Sequence, residues 1–404
     1  MINSKEYKTK VKKVPISLTG ESSLSYSYHT SIEEIIQIIH DLHAEDVFFE
    51  SAFHRSLEEF PPGEMYFRFV VIWEKNIASA LLYFQLKKIN LRESLDGSFG
   101  KEFSVGTWIK KKLAGILNFY TLVNGNMLQT GRYGQYLPKE IGSKLSFKDY
   151  HLIVDFVVEQ LKKEKLKPVA ILLKDYYDEE RITNDNCHQY GYVEFSVQPN
   201  MRVDIRSNWN SIEDYMSDLK SKYRVRTRRT RKKLNGVERK LLDLDELEFY
   251  EDKMHELYKT IADQASFNLF ILNKKYFYGL KKHLKDRIKI IGYFLNNKMV
   301  GFYTIIYNYN TLDAHFLGYD SDHNREFHLY HNMLYDLLFE AIEKNKEHLD
   351  LSRTAMEIKS SIGANAYPMF LYLRILNNFL NKFTGRFLKF LAPTVEWEER
   401  GPFK

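Results

Sequence analysis

A short polar series in the second half of the sequence has the residue types that proton transfer requires. The segment TLDAHFLGY, Thr311–Tyr319, predicts a β-strand. Side chains alternate along a strand, so Asp313, His315, Leu317 and Tyr319 are expected on one face. A carboxylate, an imidazole and a phenol that converge there would serve as base, relay and acid. The alternative is that these are half-buried strand residues whose polar groups are satisfied by their neighbours.

The basic residues are concentrated in one segment. The stretch KSKYRVRTRRTRKKL, residues 220–234, contains nine Lys or Arg and no acidic residue. The whole chain has 59 basic and 53 acidic residues, so without this segment 50 basic residues remain and the net charge changes from +6 to −3. We expect a helix over residues 212–234 whose Arg226, Arg228 and Arg229 bind an anionic substrate. Such runs are also typical of nucleic-acid contacts, membrane surfaces and solvated linkers.

Composition restricts the class of protein. A chain of 404 residues is long enough for two domains, and 44% hydrophobic with 15% aromatic residues provides packed cores. The single cysteine, Cys187, excludes a disulfide framework and a cysteine-based zinc site. His40 and His43 have no third candidate ligand nearby, so no metal is expected. Without a secretory signal or a long apolar run, we expect a cytoplasmic location, with peripheral contact at the inner face of the membrane as an alternative.

The order of predicted elements occurs twice. In the second half the order is β, α, α, β, β, β, α, β, α, with a two-residue hairpin turn at Asn296-Asn297. The first half repeats this order more loosely, with a hairpin turn at Lys75-Asn76. The sequence therefore predicts an α/β fold of two tandem modules, residues 1–205 and 206–404, each a mixed β-sheet flanked by helices.

This repeated order resembles the tandem form of the GNAT acyltransferase superfamily, the Fem-type aminoacyl and acyl transferases. The likeness in motif covers residues 312–364, where FLGYDSDHNREFHLYHNMLYDLLFEAI is followed by LDLSRTAMEIKSSIGA. These segments are similar to the pattern of uncharacterised bacterial GNAT proteins of this branch. The shared features are a strand ending in Gly-Tyr-Asp, a tyrosine at the start of a helix, and Arg-Thr-Ala-x-Glu-Ile-Lys before Gly-Ala. A basic helix before the second module is also a Fem-like feature.

The resemblance implies two GNAT-like modules that carry out acyl transfer. In this fold the fourth and fifth strands separate, a thioester or ester donor lies between them, and an amine attacks its carbonyl carbon. The resemblance also implies that Lys359, with Gly363 after it, contacts the reacting end of the acyl or aminoacyl group. A lysine in that place would stabilise the negative charge of the tetrahedral intermediate.

Further candidates for substrate binding lie close to Lys359 in the sequence. Arg353 follows a predicted strand and has the planar donor set that binds a phosphate or a carboxylate through two hydrogen bonds. Glu357 follows at i+4, so an ion pair between the two that fixes a helix start is the structural alternative. Tyr330 and Asn332, at the start of the preceding predicted helix, complete the residues expected to bind substrate.

One loop departs from the pattern of the family. GNAT enzymes bind the pyrophosphate of coenzyme A with a glycine-containing loop at a helix N-terminus. The equivalent segment here, DSDHNREFH, has no glycine, and Gly131 and Gly134 of the first module are out of register. Acetyl-CoA is therefore in doubt as the donor. An acyl carrier protein thioester, a long acyl-CoA and aminoacyl-tRNA remain, and no tightly bound cofactor is expected.

The carboxyl-terminal segment mixes apolar and cationic residues in FLYLRILNNFLNKFTGRFLKFLAP, residues 370–393. We expect a pair of helices that pack their apolar face on the first module. The alternative is that this amphipathic tail lies on an anionic membrane surface.

Three functions are consistent with these features. The first is an N-acyltransferase that uses acyl-CoA or an acyl carrier protein thioester to acylate an amine of a lipid or cell-envelope precursor. The second is an aminoacyl-tRNA-dependent aminoacyltransferase of peptidoglycan precursors, in which the basic helix holds RNA phosphates. The third is a non-catalytic nucleic-acid-binding protein on an acyltransferase fold, although no recognisable reading motif accompanies the basic run.

Overall fold

Two β-sheets, with helices on their outer faces and between them, form the protein. The computed structural model describes residues 12–16, 24–90, 118–264, 270–391 and 397–404. Within these ranges the architecture is the predicted α/β fold of two modules, each with a mixed sheet flanked by helices.

The strands divide between the two sheets in an order that differs from their order in the chain. The strands of the described residues are β1 (Val14–Pro15), β2 (Leu24–His29), β3 (Met65–Glu74), β4 (Ile77–Asn90), β5 (Asn118–Asn124), β6 (Gln135–Tyr136), β7 (Pro168–Tyr176), β8 (Val193–Ser196), β9 (Asn200–Asp204), β10 (Val237–Leu241), β11 (Ile288–Leu295), β12 (Lys298–Tyr307), β13 (Thr311–Tyr319), β14 (His348–Asp350), β15 (Asn365–Tyr367) and β16 (Phe370–Ile375). The first sheet has the order β1-β2-β3-β4-β5-β7-β16-β8, and β6 pairs with β4. The second sheet has the order β10-β11-β12-β13-β14-β9-β15.

Helices connect and cover these sheets. The α-helices of the described residues are α1 (Ile36–Leu42), α2 (Ser51–Glu59), α3 (Lys139–Gly142), α4 (Phe147–Lys163), α5 (Asn184–Gln189), α6 (Ile212–Asp218), α7 (Ser221–Lys233), α8 (Leu244–Phe249), α9 (Glu251–Ala262), α10 (Tyr276–Leu284), α11 (Ser321–Phe327), α12 (Leu329–Glu343), α13 (Met356–Ser360), α14 (Asn378–Asn381) and α15 (Thr384–Leu391). The long helix α4 covers the outer face of the first sheet, and α12 covers that of the second.

Each module is centred on the hairpin that its sequence predicts. The turn residues Lys75 and Asn76 have φ angles of 46° and 72°, and Asn296 and Asn297 have φ angles of 50° and 62°. Positive φ at both central residues is the geometry of the two-residue turn that matches the twist of paired strands. Asparagine tolerates this region better than most residues, which is why the Asn-Asn pair was informative in the sequence.

The two modules exchange one strand each. β9, the last strand of the first half of the chain, pairs with β14 and β15 in the second sheet. β16, which ends the second half, pairs with β7 and β8 in the first sheet. A division of the chain at residues 205 and 206 would therefore remove a strand from each sheet. Strand pairing thus ties the modules together at two places.

An apolar layer shared by both modules lies between the sheets. It combines α1, α2, β3 and β4 of the first module with α9, α10, β11 and β12 of the second. Gly279 of α10 lies directly against Phe60, since a Cβ there would lie 2.3 Å from a ring carbon of Phe60. Two further cores lie on the outer faces, under α4 and under α12. The modules are therefore joined by packing as well as by strand exchange.

Two local predictions from the sequence are wrong. The helix expected over residues 212–234 is interrupted at Leu219, whose backbone is extended at φ −67° and ψ 140° and which forms a β-bridge with Phe403. The start of the carboxyl-terminal segment is the strand β16 and not a helix. Short apolar runs fit either element, and here the free edges of β7 and β8 determine the outcome. The last residues of that segment, 392 and 393, lie outside the described residues.

In the parts of the chain that the structure describes, no helix is both long enough and apolar enough to span a membrane.

The strand exchange predicts that both sheets unfold together. Trp73 is buried in the shared core and Trp209 in the core under α12. In two variants, one of these tryptophans is kept and the other three tryptophans of the sequence are replaced by phenylalanine. For each variant, we expect the urea denaturation curve followed by tryptophan fluorescence to coincide with the curve followed by far-UV circular dichroism. A fluorescence transition of either variant that is separate from its dichroism transition would contradict this coupling.

Candidate active site

The two parallel strands at the centre of the second sheet separate after three residue pairs. β13 pairs with β14 from Thr311 opposite His348 to Asp313 opposite Asp350. β14 ends at Asp350, whereas β13 continues to Tyr319. One edge of β13 therefore lacks its parallel partner beyond Asp313. This is the separation between strands that the GNAT resemblance implies.

A β-bulge in β13 changes which side chains share a face. Residues 303 and 305 of β12 lie opposite residues 317 and 314 of β13, so His315 and Phe316 together oppose Thr304. The Thr304 hydroxyl accepts the Phe316 N–H at 2.9 Å and donates to the Phe316 carbonyl at 2.7 Å. A bulge adds one residue and reverses the alternation beyond it. Asp313 and His315 therefore lie toward the shared core, whereas Leu317 and Tyr319 pack under α12. The prediction of one common face is wrong for Leu317 and Tyr319.

A directed chain of hydrogen bonds connects the two modules at this place. Tyr276 Oη lies 2.7 Å from His315 Nε2, and His315 Nδ1 lies 3.0 Å from Oε1 of Gln129. Gln129 Nε2 donates to Asp313 Oδ1 at 3.2 Å. The neutral imidazole protonated on Nδ1 fits these contacts, because Nε2 then accepts the Tyr276 hydroxyl. Gln129 belongs to the first module, so the site residues of β13 are held from both halves of the chain.

Burial determines the protonation states of the residues in this hydrogen-bonded series. Burial lowers the pKa of His315 to about 3, which keeps the ring neutral. Burial and the nearby carboxylates of Asp350 and Asp46 raise the pKa of Asp313 well above its usual range. Asp313 Oδ2 is buried and has no hydrogen-bond partner in the described residues. Asp313 is thus a carboxyl group with one oxygen bonded by Gln129 and the other without a hydrogen-bond partner in the described residues, while the nearby Asn308 amide opposes the rise in its pKa.

Asp350, opposite Asp313, differs in its hydrogen bonds. Its Oδ2 accepts the Asn200 side-chain amide of β9 at 2.5 Å, and its Oδ1 accepts the Ser352 N–H at 2.8 Å. Burial raises its pKa, while these two donors act in the opposite direction. Both oxygens are therefore occupied, which leaves Asp313 as the carboxyl group of the pair with a free oxygen.

The structure places Lys359 beneath the loop that follows β14. Its ammonium donates to the carbonyl oxygens of Leu351 at 2.6 Å, Ser352 at 3.2 Å and Arg353 at 2.6 Å. Three residues of this loop have positive φ, namely Ser352 at 56°, Thr354 at 68° and Ala355 at 46°. Such backbone is unfavourable for residues other than glycine and needs support from its surroundings. The three N–H groups of Lys359 provide it, so none remains for an oxyanion in this arrangement.

Arg353 and Glu357 do not form the ion pair considered from their spacing. The Arg353 guanidinium bonds Asp175 of β7, and its Nε donates to the Gln198 carbonyl at 3.1 Å. Glu357 instead bonds Arg400. The i+4 argument failed because α13 begins only at Met356, so Arg353 lies outside the helix. Arg353 thus joins the modules, and it is largely buried, with 18% of its side chain exposed.

Asp175 is the centre of a buried ionic group. Lys174 also bonds it, and the Gly131 N–H donates to its Oδ2 at 3.1 Å. Burial raises the pKa of Asp175, but Arg353 and Lys174 outweigh this effect and its pKa lies below the usual value. Burial lowers the pKa of Lys174 to about 8, although Asp175 opposes the shift. The segment that carries Gln129 is fixed by this group, because Lys174 also donates to the Gln129 carbonyl at 2.9 Å.

The start of α12 is joined to the basic helix. The Asn332 side-chain amide donates to the Thr230 carbonyl at 3.0 Å, and its oxygen accepts Arg231 at 3.1 Å. Asn332 is fully buried, so it positions α7 against α12. The ring of Tyr330 lies 5.8 Å from that of Tyr319, and both pack in the core under α12.

The glycine-free loop, residues 320–328, contains a carboxylate, Asp320, at the start of α11. Asp320 Oδ1 accepts the N–H groups of Asp322 at 3.1 Å and His323 at 3.0 Å, and it lies 2.7 Å from His323 Nδ1. These N–H groups belong to the first turn of α11, where a phosphate would bind. Bonding to His323, together with both backbone donors, holds the pKa of Asp320 below its usual value. A carboxylate already occupies the donors of this turn.

Much of the outer face of α7 is positively charged. Six of its basic side chains are exposed and have no acidic partner in the described residues: Lys222, Arg226, Arg228, Arg229, Lys232 and Lys233. Arg231 differs, because it is half-buried and bonds Asp336 at 2.8 Å. α7 packs against α11 and α12, so its charges lie close to the carboxyl end of β13.

A cavity of about 450 Å³ opens at the carboxyl end of β13. Phe249 and Tyr250 form an aromatic wall, and Lys298, Asp320 and His323 provide polar groups. It has space for part of a small substrate next to the loop of Asp320, but neither Asp313 nor His315 lines it. Across the described ranges, no three histidine, cysteine or acidic residues are grouped closely enough to hold a metal ion.

Four residues of this site were not recognised from the sequence. They are Gln129, Asp175, Tyr276 and Asp350, and each acts on a partner far away in the chain. The glycines near Gln129, Gly131 and Gly134, were considered only as part of a phosphate-binding loop. Asp350 was visible as an acid at the end of a predicted strand, a position where functional residues of α/β sheets often lie.

The fold is similar to that of two solved proteins. The crystal structure of FemX matches with a TM-score of 0.51 and 11% sequence identity, over 88% of this chain and 98% of that chain. A tandem GNAT protein from the clavulanic acid biosynthesis pathway matches with a TM-score of 0.50 and 9% identity, over 87% of this chain and 98% of that chain. No protein-family model matches the sequence, and no curated protein does. The chain has a tandem GNAT-like fold, which confirms the resemblance at the level of fold.

The contacts of Lys359 predict a large effect on stability. Lys359→Met leaves the carbonyl groups of Leu351 and Arg353 without their donor, whereas that of Ser352 keeps the Met201 N–H. We therefore expect a loss of roughly 2–4 kcal/mol in the free energy of unfolding. The exposed Lys282, which bonds Glu59 on the surface, is a matched control. Lys282→Met should change stability by about 1 kcal/mol or less. Urea denaturation of both variants measures this, and equal effects would contradict the assignment.

The same lysine predicts a dependence of stability on pH. Burial lowers the pKa of Lys359 to about 7 in the folded protein, from an ordinary value of 10.5. Between these values the unfolded chain binds more protons, so this group makes stability rise with pH. We expect the difference in unfolding free energy between wild type and Lys359→Met to increase from about pH 7 to pH 10. If this difference in unfolding free energy stays constant over that range, the pKa of Lys359 in the folded protein is ordinary.

Proposed function

We propose that the protein is an N-acyltransferase that moves an acyl group from an activated donor to an amine where β13 and β14 separate. The observation that carries this proposal is the buried Asp313 carboxyl, with its raised pKa and its free Oδ2, at the point of separation. A perturbed carboxyl next to an opening between strands is typical of acid-base sites. The fold supports the proposal, but a fold alone does not determine chemistry.

Asp313 is the proposed base. As the neutral amine attacks the carbonyl carbon, its nitrogen becomes positive and one N–H proton passes to the ionised Asp313 through Oδ2. The tetrahedral intermediate then collapses, and the departing sulfur or oxygen of the donor leaves with the electron pair. It takes up the proton that Asp313 received, which returns Asp313 to its ionised form. The raised pKa makes Asp313 a stronger base than an exposed aspartate. His315 has too low a pKa for this step, and with Gln129 it orients the Asp313 carboxyl group.

The donor is proposed to be a thioester carried by an acyl carrier protein, with an amine of a lipid or cell-envelope precursor as acceptor. The Asp320 carboxylate on the first turn of α11 would repel the pyrophosphate of coenzyme A, which opposes free acyl-CoA. A carrier protein does not place a pyrophosphate on this turn. The exposed cations of α7 would attract a carrier protein whose surface is acidic.

A second candidate is transfer from an aminoacyl-tRNA. The observation that favours it is the row of exposed cations on α7, which lies beside the carboxyl end of β13. Arginine binds phosphate through two hydrogen bonds, and such a row fits the backbone of an RNA helix. Lys359 has a positioning role in either case, because it supports the loop that follows β14.

Asp313→Asn tests the proposed base. The amide oxygen still accepts from Gln129 and no buried charge is lost, so folding should be retained. We expect kcat to fall by about 100- to 10,000-fold, as is typical when a general base is removed. The assay measures transfer to amines from acyl-CoA, acyl carrier protein and aminoacyl-tRNA. In the wild type, the rate should decline with falling pH well above the ordinary range of aspartate, because the raised pKa must be exceeded.

Asp350→Asn is the matched control for this variant. Asp350 is also buried, but both of its oxygens are bonded. Turnover within about tenfold of wild type is expected, since its carboxyl takes no proton. If the two variants lose activity to the same extent, Asp313 is not the base.

The exposed arginines of α7 predict how the carrier binds. We expect Arg226→Gln, Arg228→Gln and Arg229→Gln together to weaken carrier binding without loss of folding, because these side chains are exposed. If the carrier is tRNA, the log–log slope of affinity against salt should decrease in magnitude by roughly 2, at about 0.7–0.9 for each phosphate. Fluorescence anisotropy with labelled tRNA and acyl carrier protein measures this.

The control removes three charges elsewhere. Lys162, Lys163 and Lys165 are exposed near the end of α4, and their change to Gln alters the net charge equally. This variant should bind both carriers like the wild type. Equal binding by the arginine variant, with an unchanged salt slope, would make α7 a solvated surface without a role in carrier binding.

A further inference from the structure

An apolar patch lies exposed on the surface of the first module. Phe379 is 69% exposed, Leu380 50% and Phe383 47%. The rings of Phe379 and Phe383 lie 5.6 Å apart, and Leu380 follows Phe379 in the same short helix. These three residues are here named the Phe379 patch. Single exposed apolar residues are common, whereas a contiguous group of large ones marks a contact surface.

The Phe379 patch is held rigidly. The Asn377 side chain caps α14 by accepting the N–H groups of Phe379 at 3.0 Å and Leu380 at 3.1 Å. Asn381 donates to the Gly191 carbonyl at 2.8 Å, and its oxygen accepts the Ile375 N–H at 2.8 Å. These contacts fix the turn between α14 and α15 against the edge of the first sheet. The rings are therefore presented to solvent by ordered structure.

Two cations accompany the patch. Lys382 and Arg386 are exposed and have no acidic partner among the residues that the structure describes. The sequence contains no aspartate or glutamate between residues 358 and 395. A partner that covers this surface must accept aromatic rings and provide negative charge next to them.

We propose that the Phe379 patch attaches the protein to the surface of an anionic lipid bilayer. Phe379, Leu380 and Phe383 would enter the boundary between headgroups and acyl chains, and Lys382 and Arg386 would pair with headgroup phosphates. An apolar group flanked by cations is the arrangement by which short amphipathic segments lie in a membrane surface. The attachment does not depend on the acyl transfer, but it would bring the enzyme to an acceptor embedded in the membrane.

The charge complementarity favours lipid over a second copy of the chain. Two such patches facing each other would place Lys382 and Arg386 of both copies in close proximity, without an acid nearby in the segment to neutralise them. An anionic bilayer provides many phosphates in one plane, and each basic residue near such a surface contributes to attraction.

Vesicle binding by the full-length protein tests this inference. Wild type is expected to sediment with vesicles of phosphatidylglycerol and phosphatidylcholine more strongly than with phosphatidylcholine alone. Phe379→Ser with Phe383→Ser should lower partitioning by about tenfold or more, the scale for withdrawing one or two phenylalanine rings from an apolar phase. Lys382→Gln with Arg386→Gln should remove the preference for the anionic vesicles.

The cations of α7 also attract anionic vesicles, so binding is repeated in about 0.5 M NaCl, where the Debye length is roughly 4 Å. The part of the binding that persists should be lost in the serine variant and retained when Arg226, Arg228 and Arg229 are changed to Gln. Ile77→Ser with Tyr309→Ser is the matched control, because these side chains are 65% and 62% exposed elsewhere.

Three outcomes would overturn the inference. One is that the wild type does not bind the anionic vesicles. Another is that the serine variant binds them as strongly as the control variant Ile77→Ser with Tyr309→Ser. The third is that light scattering shows a dimer for the wild type and a monomer for the serine variant, while neither binds vesicles. The patch would then join two copies of the chain. The thermal midpoint of the serine variant should remain close to that of the wild type, and transfer activity on soluble acceptors is measured separately.

Discussion

The exchange of β9 and β16 is the constraint on which the rest of the structure depends. Each sheet lacks a strand that only the other half of the chain can supply. β9 brings Asn200 to Asp350, and β7, the neighbour of β16, brings Asp175 to Arg353. The separation of β13 from β14 is therefore bounded by groups from both modules. A single module would lose both the edge of its sheet and the polar partners of its carboxylates.

Among the described residues, the buried ionisable groups of the site differ in their partners. Asp175 is paired with Lys174 and Arg353, and Lys359 is satisfied by three carbonyl oxygens. Burial without such partners is strongly unfavourable for an ionised group. Asp313 differs, since one oxygen is free and its raised pKa favours the neutral acid. The surrounding structure holds this unsatisfied group in place, and strain of that kind is typical of functional sites.

Local features of the fold could be predicted from the sequence, and nonlocal ones could not. The turns at Lys75-Asn76 and Asn296-Asn297 and the bounds of α4 follow from turn chemistry and helical periodicity. The bulge of β13 was missed because the period of two assumes regular pairing, whereas Thr304 of the neighbouring strand stabilises an extra residue. Strand exchange leaves no local signal, since the partners of β9 begin at residue 348.

The same division applies to the candidate site. Asp313 and His315 were identified because their residue types and positions in a strand are visible in the sequence. The contacts of Lys359 could not be foreseen, because they depend on three positive-φ residues in a loop without glycine. Gln129 was missed because its role comes from bonds to residues almost two hundred positions away.

The strand exchange also has a consequence for synthesis on the ribosome. β8 ends at residue 196, but its partner β16 begins at residue 370. At about 5–20 residues per second, the edge of the first sheet waits roughly 9–35 s for that strand. During this interval β7 and β8 expose unpaired backbone groups, which are prone to pair with other chains. Completion of the first sheet therefore waits for the late synthesis of β16, which determines when the edge formed by β7 and β8 is protected from aggregation.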